Sequence, residues 1–156
     1  MFRKMTSQDC DAIISLWRIS SIRIEPEDTP ENIARFLERP QSAGFVMTES
    51  ADIVGAALCG SDGRYGYIHH VAVHPTNRRH GVGKVLVNAC VEFLTVEQQV
   101  ANIAVFVWAQ NREGTNFWIQ SGFQVHEGLC VLSLPTHMFK ETRQLSAMES
   151  APGSEG

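Results

Sequence analysis

The chain has 156 residues, 44% of them hydrophobic and 19% charged, with a net charge of −4; this suits one globular domain with a proper core and argues against nucleic-acid binding, which needs a basic face. Its four cysteines, Cys10, Cys59, Cys90 and Cys130, are scattered without a CxxC pair, so no zinc site, other metal or redox motif is indicated, and a reducing cytoplasm is the expected compartment. Polar residues follow Arg3 and Lys4 where a signal peptide would turn apolar, and the longest apolar run, Ile103 to Ala109, is far too short to span a bilayer, so no membrane association is expected.

Phe2 to Lys4 reads as a short strand. Ser7 or Asp9 can cap a helix running to about Ile19, with Ile13, Ile14, Leu16 and Trp17 on its apolar side. Ser20 to Asp28 reads as a loop. Thr29-Pro30 opens a second helix, with Thr as N-cap and Pro at the first position, and Pro40 stops it. Gly44 to Glu49 and Ile53 to Cys59 read as a hairpin turning at Ser50-Ala51-Asp52. Gly60 to Arg64 is turn-rich. Tyr67 to His74 is the next strand, and Gly83 to about Val96 the next helix. Ile103 to Trp108 is a β-branched, apolar run of the kind found in a central strand covered on both faces. Arg112 to Gln120 is a short helix closed by Gly122 in a left-handed cap. Phe123 to His126 and Cys130 to Leu134 read as a final strand pair. The order is β-α-α-β-β-β-α-β-α-β-β: an α/β mixed sheet with helices on both faces. Residues 1–140 form one domain in this reading, and residues 141–156, rich in Ser, Gly, Pro and Glu near the end, form a flexible tail.

The densest chemistry lies in Arg78-Arg79-His80-Gly81-Val82-Gly83-Lys84, between a strand and a helix. Gly81 and Gly83 have no Cβ, so the backbone can turn sharply and come close to a ligand. N–H groups in such a turn form an anion nest, and the following helix adds its unpaired donors and the positive end of its dipole. Arg78, Arg79 and Lys84 add charge around the same point. A P-loop is excluded because Val85 follows Lys84, and a Rossmann fingerprint because position 86 is Leu.

Arg78, Gly81 and Gly83, placed after the strand ending in Val71-Ala72-Val73-His74-Pro75, resemble the Arg/Gln-x-x-Gly-x-Gly/Ala signature of the GNAT superfamily of N-acetyltransferases. The element order over residues 1 to 135 resembles the same fold, and the segment from Pro26 through Pro75 looks like small stand-alone bacterial members. The resemblance implies a splayed central sheet of about seven strands and acetyl-CoA as co-substrate. The pyrophosphate would lie against Arg78 to Lys84, including His80 and Val82. The pantetheine arm would pair with the backbone of Val71, Ala72 and Val73, which a bulge would free from the ladder. Asn111, before the Trp118-Ile-Gln-Ser-Gly-Phe123 segment, would contact the arm with its amide; it equally suits a helix N-cap. The position where relatives commonly carry a Tyr that protonates the departing thiolate is Trp118, which would pack against the cofactor or in the core. Indole is no useful proton source.

The implied reaction is attack of a neutral amine on the thioester, with a backbone N–H polarising the oxyanion. The amine must lose a proton, and His69 and His70 are the candidate bases, with unperturbed pKa values near 6.5. Strand alternation places them on opposite faces, His69 with Tyr67 and Val71; each also suits a buried, hydrogen-bonded histidine. Tyr67 is a substitute acid. His69, His70 and His74 match no recognised metal-ligand spacing, and His74 reads as a contact or surface residue. Glu25, Glu27, Asp28 and Glu31 would draw a cationic acceptor. The acceptor is a small-molecule or peptide amine, and a homodimer accords with the superfamily's habit. The alternatives are a non-catalytic acyl-CoA-binding regulatory module, suggested by Trp118, and an interaction protein that keeps the fold without the cofactor.

Overall fold

The computed structural model describes residues 1–136. Met1–Phe123 packs as one compact unit, and the residues from Gln124 belong to a second. The first unit contains β1 (Phe2–Lys4), α1 (Cys10–Ile19), α2 (Pro30–Leu37), β2 (Ser42–Glu49), β3 (Asp52–Ser61), β4 (Tyr65–Val73), α3 (Val82–Glu92), β5 (Asn102–Val105) and α4 (Arg112–Gln120). Single turns at Ser7–Asp9 and Pro75–Asn77 precede α1 and follow β4, and a π-type turn over Phe93–Glu97 extends α3.

The five strands form one sheet in the order β1-β2-β3-β4-β5. The first three pairings are antiparallel and β4–β5 is parallel. Period-two alternation divides the core in two. Val46, Ala56, Leu58 and Ala72 face α1 and α2, meeting Ile13, Leu16, Trp17 and Ile33. Phe45, Ala57, Cys59 and Ile68 face the other way, meeting Leu86, Val87, Cys90 and Leu94. Gly55 sets how closely α3 approaches: a Cβ there would lie 2.6 Å from Val82 Cγ1 and 3.0 Å from Leu86 Cδ1. Cys90 is wholly buried against Cys59. The contact with Cys59, together with burial, pushes its thiol far up, so both cysteines behave as small apolar groups.

Two sequence expectations are corrected. The described residues carry five strands rather than about seven, because neither Phe123–His126 nor Cys130–Leu134 forms one. Their apolar alternation finds no ladder: Val125, Leu129, Val131 and Leu132 are all exposed, and an alternating run becomes a strand only where a partner receives it. The run from Ile103 to Trp108 is strand only to Val105, with Phe106 and Trp108 largely exposed. The 141–156 tail lies outside the described residues, as does the proposed domain end at 140.

At the start of the chain, Arg3 forks onto the buried Asp9 carboxylate, with Nη1–Oδ2 at 2.8 Å and Nη2–Oδ1 at 2.7 Å. Asp9 Oδ2 also accepts the Thr6 N–H at 2.8 Å. The Arg3 hydrogen bond is the main reason that the Asp9 pKa falls to about 2 from 3.8. A carboxylate held below its unfolded value stabilises the fold above that value and loses the effect as pH falls toward the folded one. Asp9→Asn is therefore expected to cost roughly 1–2 kcal/mol near neutral pH, allowing for solvent screening at the chain's edge. In urea unfolding series, the gap between wild type and variant should close between about pH 4 and pH 2.

Candidate acyl-donor cleft and acceptor pocket

β5 pairs with β4 only over Tyr65 to Ile68, opposite Asn102 to Val105. From His69 to Val73, β4 runs on without a neighbour on that edge, so two parallel strands part and leave a wedge. On its other edge β4 is bulged. Ala72 pairs with Ala56 and His69 with Leu58, which sets His70 and Val71 against Ala57 alone. His70 takes up the extra residue with φ +48°. That left-handed value costs a non-glycine residue of order 1 kcal/mol and must be held by its surroundings.

The holding contacts are visible. The His70 ring stacks on Trp17 at 4.3 Å and 24°, and His70 Nε2 lies 3.2 Å from Asp28 Oδ2. The bulge therefore turns His70 toward α1 and α2, the face that His69 also addresses through its edge contact with Phe36 at 6.3 Å. Val71 turns to the opposite cluster. The expected alternation is thus overturned: both histidines share one face, and Val71 leaves it.

After β4 the backbone forms a cradle. Arg79 and Gly81 have φ of +64° and +81°, and Gly81 is the left-handed N-cap of α3. The Val85 N–H is the first in α3 to find a backbone acceptor, Gly81 O at 3.1 Å. The N–H groups of Arg79, His80, Gly81, Val82, Gly83 and Lys84 have no acceptor among the described residues. Consecutive free donors at a helix start form an anion site. Arg79 and Lys84 have no ion-pair partner there.

Arg78 does something other than supply free charge. Its Nε donates to Val73 O at 3.3 Å and its Nη2 to Ser20 O at 3.0 Å. The Ser20 hydroxyl donates to the same Val73 carbonyl at 3.1 Å. Arg78 thus clamps the cradle to the end of α1 and the tip of β4. Gly83 also has a packing reason, since a Cβ there would lie 3.2 Å from Phe117 and 3.6 Å from Val73.

Across the sheet, Tyr67 and His69 line a half-open pocket of about 200 Å³ together with Phe36, Arg39, Ser42 and Asp62. Tyr67 stacks on His69 at 6.2 Å and on Phe106 at 6.2 Å, and its hydroxyl donates to Asp62 Oδ2 at 3.3 Å. Desolvation, then the Asp62 charge, raises the Tyr67 pKa, so the phenol keeps its proton. Burial lowers the His69 pKa below 6.5, with the neighbouring His70 acting in the same sense. The acidic loop is partly engaged already: Asp28 is bound by His70 and by the Glu25 N–H, and Glu25 pairs with Arg23. Arg23 in turn lies over the Trp108 ring at 4.7 Å.

Asn111 caps α4, its Oδ1 accepting the Gly114 N–H at 2.9 Å, which leaves its amide nitrogen free. Trp118 packs edge-on between Phe117 at 5.3 Å and Phe123 at 4.9 Å, against the α3-side core. His74 bonds Thr76 at the start of the turn after β4. Among the described residues, no group of three or more His, Cys, Asp or Glu side chains could hold a metal ion, and no helix is long and apolar enough to cross a membrane. Trp17, Ser20 and the specific pairing of Asp28 were missed in the sequence. Each acts through a partner 42 or more positions away, which no local pattern announces.

Residues 10–123 match the model of the acetyltransferase (GNAT) family. Among solved structures, AAC(6')-Iy bound to the bisubstrate analogue CoA-S-monomethyl-acetylneamine superposes with a TM-score of 0.70 at 16% identity, covering 86% of this chain and 97% of that one. A Trypanosoma brucei acetyltransferase gives 0.64 at 22% identity, covering 86% and 99%. Glucosamine-6-phosphate N-acetyltransferase from Arabidopsis thaliana gives 0.68 at 15% identity, covering 86% and 98%. At these identities the likeness is one of fold.

The His70–Asp28 contact is expected to couple measurably. In a double-mutant cycle of His70→Ala and Asp28→Asn, followed by chemical unfolding, the interaction should be about 1 kcal/mol. A value near zero would mean that Trp17 alone holds the bulge.

Proposed function

The chain belongs to the acetyltransferase (GNAT) family, and we propose that it transfers an acetyl group from acetyl-CoA to a primary amine by direct attack in a ternary complex. The observation that carries this reading is the row of free N–H groups from Arg79 to Lys84 next to the unpaired edge of β4. A pyrophosphate would neutralise the row, with Arg79 and Lys84 adding charge. The pantetheine amides would pair with the free edge around Val71 to Val73, and the exposed Asn111 amide nitrogen would reach the same arm. Arg78 would act through the clamp that shapes the cradle.

His69 is the base in this proposal. A histidine held below 6.5 by burial is neutral at pH 7 and ready to accept the ammonium proton. The amine nitrogen then attacks the carbonyl carbon, the C–S bond breaks, the thiolate departs with the bonding pair, and the proton released from the acetylated nitrogen neutralises that thiolate. His70, strained and tied to Trp17 and Asp28, reads as support for the bulge. Trp118, half-buried, packs against the α3-side core and supplies no proton. A thiol with pKa about 8.5 is a tolerable leaving group without one. The protonated Tyr67 hydroxyl is committed to Asp62 and lines the pocket beside His69.

Calorimetric titration with acetyl-CoA, followed by thiol-release assays on an amine panel, tests the proposal. Gly81→Asp, which puts a carboxylate and a strained side chain into the cradle, should lower acetyl-CoA affinity at least 100-fold without altering the circular dichroism. His69→Gln should leave that affinity unchanged and lower kcat/KM by about 10²–10³. The acid limb of wild-type kcat/KM should fall below pH 6.5 and vanish in His69→Gln. An unchanged rate in that variant would remove His69 from the chemistry.

A further inference from the structure

The pocket beside His69 also bears on which amine is taken, given the N-acetyltransferase reading above. Its volume of about 200 Å³ is below the roughly 300–1,000 Å³ of sites that enclose drug-sized ligands. The part of the acceptor that enters must therefore be compact. Gly60 forms one wall, and a Cβ there would already lie 3.2 Å from both Phe36 Cζ and Ser42 Oγ. The pocket has no slack on that side.

Its two charged side chains are in different states. Asp62 is fully engaged: Oδ1 accepts the N–H groups of Arg64 at 2.8 Å and Tyr65 at 2.7 Å, and Oδ2 accepts the Tyr67 hydroxyl. Those bonds lower its pKa, so it stays a fixed negative charge beside the path to His69. Among the described residues, Arg39 is the only Lys or Arg lining the pocket. Its backbone is anchored, the N–H to Phe36 O at 3.3 Å and the carbonyl to Ser42 N at 2.9 Å. Its guanidinium has no hydrogen bond or ion pair among the described residues. An exposed guanidinium on an anchored backbone, unpaired at its tip, is suited to bidentate binding of a carboxylate or phosphate.

We propose that the acceptor is a compact primary amine carrying its own anionic group, and that Arg39 is the specificity-determining residue that binds that group. Asp62 favours approach of the ammonium end, and Arg39 draws the anionic end, so the molecule enters with its nitrogen toward His69. A simple diamine, or a monoamine without an anionic group, satisfies only Asp62 and leaves Arg39 unpaired.

The test uses matched acceptors: glycine and β-alanine against their amides, and ethanolamine phosphate against ethanolamine. Thiol release is measured with acetyl-CoA, and acceptor binding is measured by calorimetry in the presence of CoA. The anionic member of each pair should be favoured at least 10-fold in kcat/KM. Arg39→Gln should abolish the preference, mainly through KM, with acetyl-CoA affinity unchanged, and Arg39→Lys should restore part of it. The size of the preference for acids against the phosphate ester shows which anion is meant. Equal use of the partners that lack the anionic group, or a preference that survives Arg39→Gln, overturns the proposal. Arg39-dependent binding of the anionic amines without turnover would sink the transferase reading and keep the subsite. Absence of any such binding would sink the subsite even if other amines were acetylated.

Discussion

The extra residue in β4 is the constraint on which the rest of the site depends. Two residues, His70 and Val71, stand against Ala57 alone, and His70 absorbs the mismatch in a left-handed conformation. A regular β4 would keep its two faces in strict alternation. The bulge instead delivers both His69 and His70 to the face covered by α1 and α2, and sends Val71 to the side of α3. Such a strained residue persists only where packing over-determines it. Trp17, wholly buried beneath it, and Asp28, reaching from the loop before α2, supply that packing.

Beyond the bulge, the short length of β5 has equal weight. Because β5 stops at Val105, the last part of β4 has an open edge, and the backbone there is available to a ligand. The cradle at the start of α3 opens next to this edge because Arg78 ties the intervening turn to Val73 and to Ser20 at the end of α1. An arginine that looks like an anion contact in the sequence therefore acts as a structural tie. The tight approaches at Gly55 and Gly83 bring α3 down onto β3 and α4 onto α3. The free donors, the open strand edge and the pocket beside His69 thus lie on, or directly next to, elements fixed against one sheet.

The two sides of the sheet also separate the chemical demands. One side presents backbone N–H groups and cations that have no ion-pair partner among the described residues, an arrangement that suits an anionic ligand. The other side presents the half-buried His69, a hydrogen-bonded carboxylate and a guanidinium unpaired among the described residues, around a small volume. Burial lowers the basicity of His69, while the backbone N–H groups of Tyr65 and Arg64 and the Tyr67 hydroxyl make Asp62 more acidic. Such divergence between neighbouring titratable groups is what acid–base work requires.

Local patterns determined much of this chain. Apolar periodicity placed α1 to α3 and β2 to β4, Thr29-Pro30 marked the start of α2, Gly122 the end of α4, and the Gly81/Gly83 spacing the turn into α3, because capping, turning and helix starts depend on residues a few positions apart. Local patterns misled where a partner was needed. Phe123–His126 and Cys130–Leu134 alternate like strands yet find no ladder, and Ile103–Trp108 loses its last residues for the same reason. Only tertiary structure decided that His69 and His70 share a face, that Arg78 binds carbonyls rather than standing free, that Trp118 lies between Phe117 and Phe123, and that Arg39 meets Asp62 around one pocket. Each depends on strand register or on contacts between residues far apart in the chain, and register becomes definite only when the sheet closes against its helices.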